Sequence, residues 1–322
     1  MIQMFKTQMR LKLRQYPHIR YWGKTAQRLI KNRKRVENYR EESLMCLEPD
    51  NDSNRSFIKT KIPIGSNIEI TNACNINCLM CNTKLQERPY QLMKPEVFER
   101  IILELKATGI PTAGLHTVGE TFVYKDLETL LEIAERHKFR VWISTNAQFP
   151  KRIKEIYSKF PNMLNDIRIS VDGATAKTFE HIRVGGSFNK VLESFEIIHT
   201  LNKGKKNFNV GVTLDSILNS DTIYEIPLYF ERFGKYANPE HINFWVITGL
   251  SPDNSYFKST FPYPNLIRSE VPCHMPFESQ FFTHDGKATL CCRDYNEEIV
   301  VGDIMTSSIK EIWNGEEAEK VR

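Results

Sequence analysis

The sequence lacks any long apolar run, and its 322 residues contain no window of about 18 consecutive apolar residues. We therefore expect no membrane-spanning helix. The first twenty residues are basic and lack the continuous apolar core of a secretory signal peptide. These absences predict a cytoplasmic protein, a compartment in which clustered cysteines are more often metal ligands or catalytic thiols than disulfides. Hydrophobic residues make up 41% of the chain, enough for a sizeable core and against global disorder.

Basic residues are unevenly distributed along the chain. Residues 1–40 contain twelve Lys or Arg and one acidic residue, whereas residues 41–322 carry a net charge of −6. We predict one or two basic helices in this N-terminal segment. The segment could bind a phosphate-bearing substrate, RNA or an anionic membrane surface, or it could be a solvated helical face. Nucleic acid ranks below a small molecule, because no aromatic side chains are spaced through a groove.

After a polar stretch at Glu48–Ser56, strand-like and helix-like patterns alternate. The predicted strands are Asn67–Thr71, Ala113–Val118, Arg140–Ser144, Ile167–Val171, Phe208–Leu214 and His241–Ile247. The predicted helices are Pro95–Lys106, Leu127–His137, Lys151–Lys159, Ala174–Ile182, Phe188–Leu201 and Thr222–Phe233. Such βα units form right-handed crossovers and a parallel sheet.

Six strands predict an α/β fold with a partial, open (β/α)6 TIM-like barrel, in which ligands bind at the C-terminal ends of the strands. From Pro264 onward the sequence no longer alternates between strand-like and helix-like patterns. The sequence HDG (His284–Gly286) predicts a hairpin between two short strands, and SIKEIWNG predicts a terminal helix. We predict three parts: a basic helical extension with linker (1–60), the barrel (61–255) and a small C-terminal domain (264–322).

The segment ITNACNINCLMCNTKL places Cys74, Cys78 and Cys81 directly after the first predicted strand of the barrel. Thiolates favour iron–sulfur clusters or zinc, so the pattern C-x3-C-x2-C predicts one of these. A structural zinc site normally has four ligands. Three thiolates without a fourth would leave one iron of a cubane cluster open to another ligand.

This loop, after the first strand of a (β/α)6 array, resembles that of the radical S-adenosylmethionine (SAM) enzymes. The resemblance implies a [4Fe–4S] cluster on the three cysteines, with SAM chelating the open iron. It also implies reductive cleavage of SAM to a 5′-deoxyadenosyl radical, which abstracts hydrogen from a substrate. An electron donor such as flavodoxin or ferredoxin is implied as a partner.

Two downstream segments resemble SAM-binding motifs of this family. HTVGETF resembles the GGE segment that binds the methionine amino group, with Gly119 and Glu120 in place and Val118 replacing the first glycine. STNA resembles the STNG ribose segment, with Thr145 and Asn146 in place and Ala147 replacing glycine. Taken singly, the first pair also suits a simple turn and the second a helix cap.

Further positions follow from the same resemblance. In ISVDG, Ser170 and Asp172 are expected to face SAM, although Asp172–Gly173 alone also suits a turn. Arg183 resembles the arginine that pairs with the SAM carboxylate. Met80 stands where the family usually has an aromatic residue near adenine, and its large polarizable side chain can pack there. For the adenine segment near strands five and six the sequence offers only two weak candidates, which are Val212 and Val246.

A second cysteine set, Cys273, Cys291 and Cys292, resembles the start of a SPASM or shorter twitch domain, which implies an auxiliary [4Fe–4S] cluster. Adjacent Cys291 and Cys292 would point to opposite faces of a strand, so one of them, preferably Cys291, would be the ligand. Cys292 could also reach the cluster if the strand ends there. The cluster could use these three cysteines with an open iron. Its remaining ligand could come from a substrate, a partner or a further C-terminal segment, or the cluster could be lost and the thiols buried. We expect Cys46 to be a bystander.

Two classes of function follow. The first is a radical SAM enzyme that modifies a peptide or a small, sugar-derived natural product, with RNA or a phosphate-bearing lipid as alternative substrates. The second is a zinc-stabilised protein whose basic N-terminal segment binds a polyanion.

Overall fold

The structure is a computed structural model that describes residues 47–49, 55–57, 60–204, 210–246, 255–260 and 273–322. The chain divides into two compact units, Met1–Lys59 and Thr60–Arg322. In the first unit, β1 (Leu47–Pro49) pairs antiparallel with β2 (Arg55–Phe57). The predicted basic helices and Cys46 lie outside the described residues.

The second unit alternates strands and helices. Its strands are β3 (Gly65–Ile68), β4 (Asn77–Cys78), β5 (Thr112–Leu115), β6 (Arg140–Thr145), β7 (Leu164–Ser170), β8 (Arg183–Val184), β9 (Gly211–Leu218), β10 (Ile242–Val246), β11 (Ser279–Phe282), β12 (Lys287–Thr289) and β13 (Val300–Asp303). Its helices are α1 (Pro95–Thr108), α2 (Leu127–Arg136), α3 (Pro150–Lys159), α4 (Ala176–Ile182), α5 (Phe188–Gly204), α6 (Ile226–Phe233), α7 (Ser255–Thr260), α8 (Met275–Glu278), α9 (Ile309–Trp313) and α10 (Glu316–Val321).

One sheet runs through this unit in the order β10-β9-β7-β6-β5-β3-β11-β12-β13. Six of these strands pair in parallel, namely β3, β5, β6, β7, β9 and β10. This confirms the predicted α/β fold with an open (β/α)6 array. Strand β11 continues the sheet by pairing parallel with β3. The C-terminal strands therefore extend the sheet of the barrel.

The predicted C-terminal hairpin is confirmed, because β11 and β12 pair antiparallel across His284–Gly286. Strand β12 ends at Thr289, however, so Cys291 and Cys292 lie in a turn after the strand. The expectation that they point to opposite faces of a strand was therefore wrong.

Helix α1 illustrates why these segments fold as they do. Pro95 occupies the first turn, where its missing N–H costs nothing, and Gly109 ends the helix with φ of 85°. Between these ends the apolar residues recur at helical spacing and are buried against the sheet: Val97, Phe98, Ile101, Ile102 and Leu105. In the part of the chain that the structure describes, no helix is both long and apolar enough to cross a membrane.

Candidate functional site

The three-cysteine loop lies between β3 and α1, at the carboxyl ends of the parallel strands. Its short strand β4 pairs antiparallel with β8, and this pairing sets Cys78 opposite Arg183. A contact across more than 100 residues therefore fixes the loop against the segment that follows α4.

One cavity of about 190 Å³ collects most of the predicted site residues. All three cysteines of the loop line it, together with seven of the eight predicted SAM contacts: Met80, Gly119, Glu120, Thr145, Asn146, Ser170 and Arg183. The eighth, Asp172, does not line the cavity. The roles of these residues stay predictions, but their convergence on one cavity is a property of the structure.

The cysteine side chains suit a soft metal cluster. Burial raises the pKa of the Cys78 thiol to about 12 and also raises the pKa of Cys74. Without metal these thiols are protonated at neutral pH, so cluster binding must release protons. Three thiols converge here, and no fourth cysteine of the described residues lines the cavity. This donor set fits a [4Fe–4S] cluster with one open iron.

The sulfur atoms also have polar neighbours. The Sγ atom of Cys81 lies 2.9 Å from the Thr83 hydroxyl and accepts a hydrogen bond from the Thr83 amide. The side-chain amide of Asn146 donates to the Sγ of Cys74 at 3.8 Å. Such donors stabilise thiolate charge and tune an iron–sulfur site.

Gly119 is required by its surroundings. Its φ is 81°, and a Cβ at this position would lie 2.4 Å from the carbonyl oxygen of Thr71 and 2.9 Å from that of Ala73. The backbone of the cysteine loop can therefore approach this strand end closely. The amide of Glu120 donates to the same Ala73 carbonyl at 2.8 Å.

The Glu120 carboxylate ties two predicted SAM segments together. It accepts hydrogen bonds from the Thr145 hydroxyl and the Asn146 amide, both at 2.7 Å, and from the Phe122 amide. Burial raises the pKa of Glu120 even though these hydrogen bonds favour the charged form. A cationic ligand in the cavity would favour its ionisation.

Thr145 and Asn146 do not cap a helix. Helix α3 begins after Phe149, whose side chain makes no capping hydrogen bond, and Thr145 instead bonds Glu120 and the Ala147 amide. Ala147 has φ of 58°, in the left-handed region that favours glycine. This conformation explains why the related ribose segment has glycine at this position.

Arg183 and Asp172 form a buried ion pair. Asp172 accepts from Nε and Nη2 of Arg183 at 2.8 and 2.6 Å, and its other oxygen accepts from the Ile217 amide. Asp172 therefore orients Arg183 instead of facing the cavity, where we had expected it. Arg183 itself lines the cavity, so its guanidinium can meet an anionic ligand there.

The apolar end of the cavity contains Met80, Ile76 and Ile217. Met80 packs with Cys78 and Ile182, and the partly buried Tyr256 of α7 packs against the same cluster. Of the two adenine candidates, Val212 lies in the main core and does not line the cavity, and the side chain of Val246 lies outside the described residues. Ile217, at the end of β9, is the residue that the sequence did not single out.

A second missed residue is His116, at the end of β5. It lines both the first cavity and a second one of about 310 Å³. Burial lowers the pKa of His116 to about 4, with the charge of Arg168 acting in the same direction, so the imidazole is neutral at pH 7. Its ring makes no hydrogen bond to any residue that the structure describes. Its position directly before the Gly119–Glu120 segment was the available signal.

The second cavity lies between the two cysteine sets. Cys81 and Cys292 both line it, together with Met275, Arg293 and Tyr295. Burial raises the pKa of Cys292, and the neighbouring Cys291 and Cys273 act in the same direction. The charges of all three cysteines of the second set therefore influence one another. Cys273 is exposed and the other two are partly exposed, which does not suit the alternative of buried bystander thiols.

Comparison with known proteins finds matches to two families. Residues 68–217 match the Radical SAM superfamily, and residues 273–322 match SPASM, an iron–sulfur cluster-binding domain. The mycofactocin maturase MftC of Mycolicibacterium smegmatis is 27% identical over 173 residues, which are 53% of this chain and 43% of that protein. The chain thus matches less than half the length of this relative.

Several solved structures with the same fold contain a bound ligand. Native anSMEcpe with bound AdoMet superposes with a TM-score of 0.60 at 16% identity, covering 80% of this chain and 82% of that one. Streptococcus suis SuiB bound to its precursor peptide SuiA gives 0.56 at 16% identity, covering 88% and 77%. A Radical SAM domain implies a [4Fe–4S] cluster and SAM, and a SPASM domain implies auxiliary clusters. The chain is therefore identified as one that carries a Radical SAM domain followed by a SPASM domain.

Proposed function

We propose that this protein is a radical SAM enzyme that abstracts hydrogen from a peptide substrate held in the second cavity. The observation that carries the proposal is the single cavity lined by three cysteines and seven predicted SAM contacts. When bound there, a [4Fe–4S] cluster supplies the electron that cleaves SAM to methionine and a 5′-deoxyadenosyl radical. A one-electron donor such as flavodoxin or ferredoxin would be its partner.

Different residues of the first cavity would bind different parts of the cluster and of SAM. Cys74, Cys78 and Cys81 would hold the cluster, and Arg183, oriented by Asp172, would pair with the SAM carboxylate. Glu120 offers a carboxylate to the ammonium.

The rest of this cavity suits the nucleoside part of SAM. The polar side chains of Thr145, Asn146 and Ser170 suit the ribose hydroxyls, and Met80 with Ile217 can pack against the flat face of adenine.

The second cavity suits a substrate because it adjoins the first through His116 and Cys81. Its wall offers amides and hydroxyls, among them Asn67, Asn82 and Thr117, which can pair with peptide groups. The relatives support a peptide: one is named a maturase, and SuiB was solved with a precursor peptide. A small sugar-derived substrate is the second candidate, and a cavity of about 310 Å³ is large enough for such a molecule.

The zinc and polyanion alternative receives less support. Both cysteine sets fall within matches to iron–sulfur families, and the basic residues that motivated polyanion binding lie outside the described residues.

Formation of 5′-deoxyadenosine tests the proposal directly. The anaerobically reconstituted protein is given SAM and dithionite, and the product is measured by mass spectrometry. We expect product from the wild type and none from Cys81→Ala. Arg100→Gln, a change on the outer helix α1, should retain the activity. Absence of product from a wild type with full iron content would overturn the proposal.

A further inference from the structure

A buried ion cluster joins the segment after the first cysteine set to the segment after the second. Arg88, seven residues after Cys81, forms a two-pronged ion pair with Glu69, its Nη1 and Nη2 lying 2.9 and 3.0 Å from the two carboxylate oxygens. Its Nε donates to the carbonyl of Tyr295 at 2.6 Å, and its Nη1 also pairs with Glu297. One guanidinium thus bonds two other segments, at Glu69 and at Tyr295–Glu297.

This contact is buried and is reinforced nearby. The side chains of Arg88, Glu69 and Glu297 are 10%, 3% and 8% exposed. The amide of Glu87 also donates to the side chain of Asn296 at 2.9 Å. Two adjacent residues of the first loop therefore dock on three adjacent residues of the second, and Tyr295 itself lines the cavity between the cysteine sets.

The charges favour an ion-pair cluster over a cation site. The ligand atoms of Glu69, His284 and Glu297 lie within 4.8 Å of one another, a spacing that could hold a metal ion. The Arg88 guanidinium already bonds both carboxylates, and Lys287 donates to Glu297 at 2.8 Å. A divalent ion would have to displace the arginine. Burial pushes the pKa of Glu69 upward, but the two hydrogen bonds from Arg88 and the nearby His284, whose Nδ1 lies 3.6 Å from the carboxylate, bring it below its ordinary value.

We propose that Arg88 couples the two cysteine sites, so that loading the first site stabilises the loop that carries Cys291 and Cys292. The inference rests on the proposed function, because it needs a cluster at Cys74, Cys78 and Cys81. An ordered first loop fixes Arg88, and Arg88 in turn holds Tyr295 and Glu297. Coupling of this kind is reciprocal, so loading the second site would also favour the first.

Hydrogen exchange can follow this coupling at two useful amides. The amides of Glu298 and Ile299 both donate to the Asp294 carboxylate at 2.8 Å, next to Glu297. We would measure their exchange by mass spectrometry in a Cys273/Cys291/Cys292→Ala background, where only the first site can load. Iron content would be determined on the same samples, with and without cluster.

The Cys273/Cys291/Cys292→Ala protein is the parent of the variants that follow. In this parent we expect cluster loading at the first site to slow exchange of these amides about fivefold or more. The loading effect should vanish in Arg88→Met and persist in Arg100→Met, since Arg100 also bridges to the C-terminal segment, through the Ile304 carbonyl, but lies outside the cysteine loop. A purely structural Arg88 would speed exchange equally in both states and leave the loading effect intact. That result, or no loading effect in the parent, would overturn the proposal.

Two further samples keep the outcome decisive. Glu297→Gln weakens only the C-terminal half of the ion cluster, so it replaces Arg88→Met if that variant does not fold, and it should at least halve the loading effect. An unchanged effect in this variant would count against the coupling. Failure of the parent to take up iron would overturn the proposed function itself, and the iron assay reports that result separately from exchange.

Discussion

At the scale of single residues, Gly119 makes the close approach between the β5 end and the cysteine loop possible. Gly119→Ala would combine left-handed strain with a clash against the Thr71 carbonyl. We expect it to lower the free energy of unfolding by more than about 2 kcal/mol and to weaken SAM binding. Urea denaturation and equilibrium SAM binding would measure the two effects.

Gly109→Ala is the matched control for that variant. Gly109 has a similar φ of 85°, but a Cβ there would meet nothing within 4 Å. Gly109→Ala should therefore lower the free energy of unfolding by only about 1 kcal/mol, the usual strain of a left-handed alanine, and leave SAM binding unchanged. Equal costs for the two variants would show that the contact with the cysteine loop is unimportant.

The buried thiol of Cys78 gives a pH prediction. In the metal-free protein its pKa of about 12 leaves very little thiolate at pH 7, and that fraction rises about tenfold per pH unit below the pKa. Alkylation of Cys78 by iodoacetamide should therefore keep accelerating to at least about pH 10 without levelling. Mass spectrometry of timed samples would measure it, with urea-unfolded protein as the control, in which the rate should level near pH 9. A plateau near pH 9 in the folded protein would contradict the burial of this thiol.

At the residue level, the sequence pointed to residues that lie together wherever the signal was local. The cysteine spacing and the pairs Gly119–Glu120 and Thr145–Asn146 are short patterns, and the structure brings all of them to one cavity. His116 and Ile217 gave no such pattern, because their importance arises from lying at strand ends that meet only in the folded sheet. The ion pair of Asp172 was not visible in the sequence for a related reason: its partner, Arg183, lies beyond helix α4.

At the scale of elements, Tyr229 of α6 ties two strand ends together. Its hydroxyl accepts hydrogen bonds from the Gly173 amide and the Ser216 hydroxyl and donates to the Val171 carbonyl, in a fully buried position. Tyr229→Phe would leave the Gly173 amide without its partner. We expect a loss of about 1–3 kcal/mol in unfolding free energy, measured by urea denaturation.

Tyr236→Phe provides the comparison for this change. The Tyr236 hydroxyl bonds Glu196 in an exposed environment, so its removal should change stability by no more than about 0.5 kcal/mol. A similar small effect for Tyr229→Phe would mean that its buried hydrogen bonds do not hold the β7 and β9 ends.

Element boundaries were harder to predict than element types. The six parallel strands all exist, but β3 covers Gly65–Ile68, whereas the prediction placed it at Asn67–Thr71. The apolar Ile70 is buried without belonging to a strand, because the chain turns there into the cysteine loop. A pattern of apolar residues indicates burial, and a buried loop beside a functional site can show the same pattern as a strand.

At the scale of the whole molecule, the main surprise is the continuity of the sheet. The C-terminal strands join the barrel through parallel pairing of β11 with β3, two strands more than 200 residues apart. No local pattern encodes that pairing, and composition suggested only a separate small domain. The consequence is that one cysteine of each set, Cys81 and Cys292, lines the same cavity.

The most direct test is to count iron and acid-labile sulfide per chain, anaerobically, in the wild type and in two triple variants. The variants are Cys74/Cys78/Cys81→Ala and Cys273/Cys291/Cys292→Ala. We predict about eight irons with matching sulfide in the wild type and about four in each variant, the stoichiometry of two cubane clusters. Zinc without sulfide, or iron that is unaffected by loss of Cys74, Cys78 and Cys81, would contradict a radical SAM site in the first cavity.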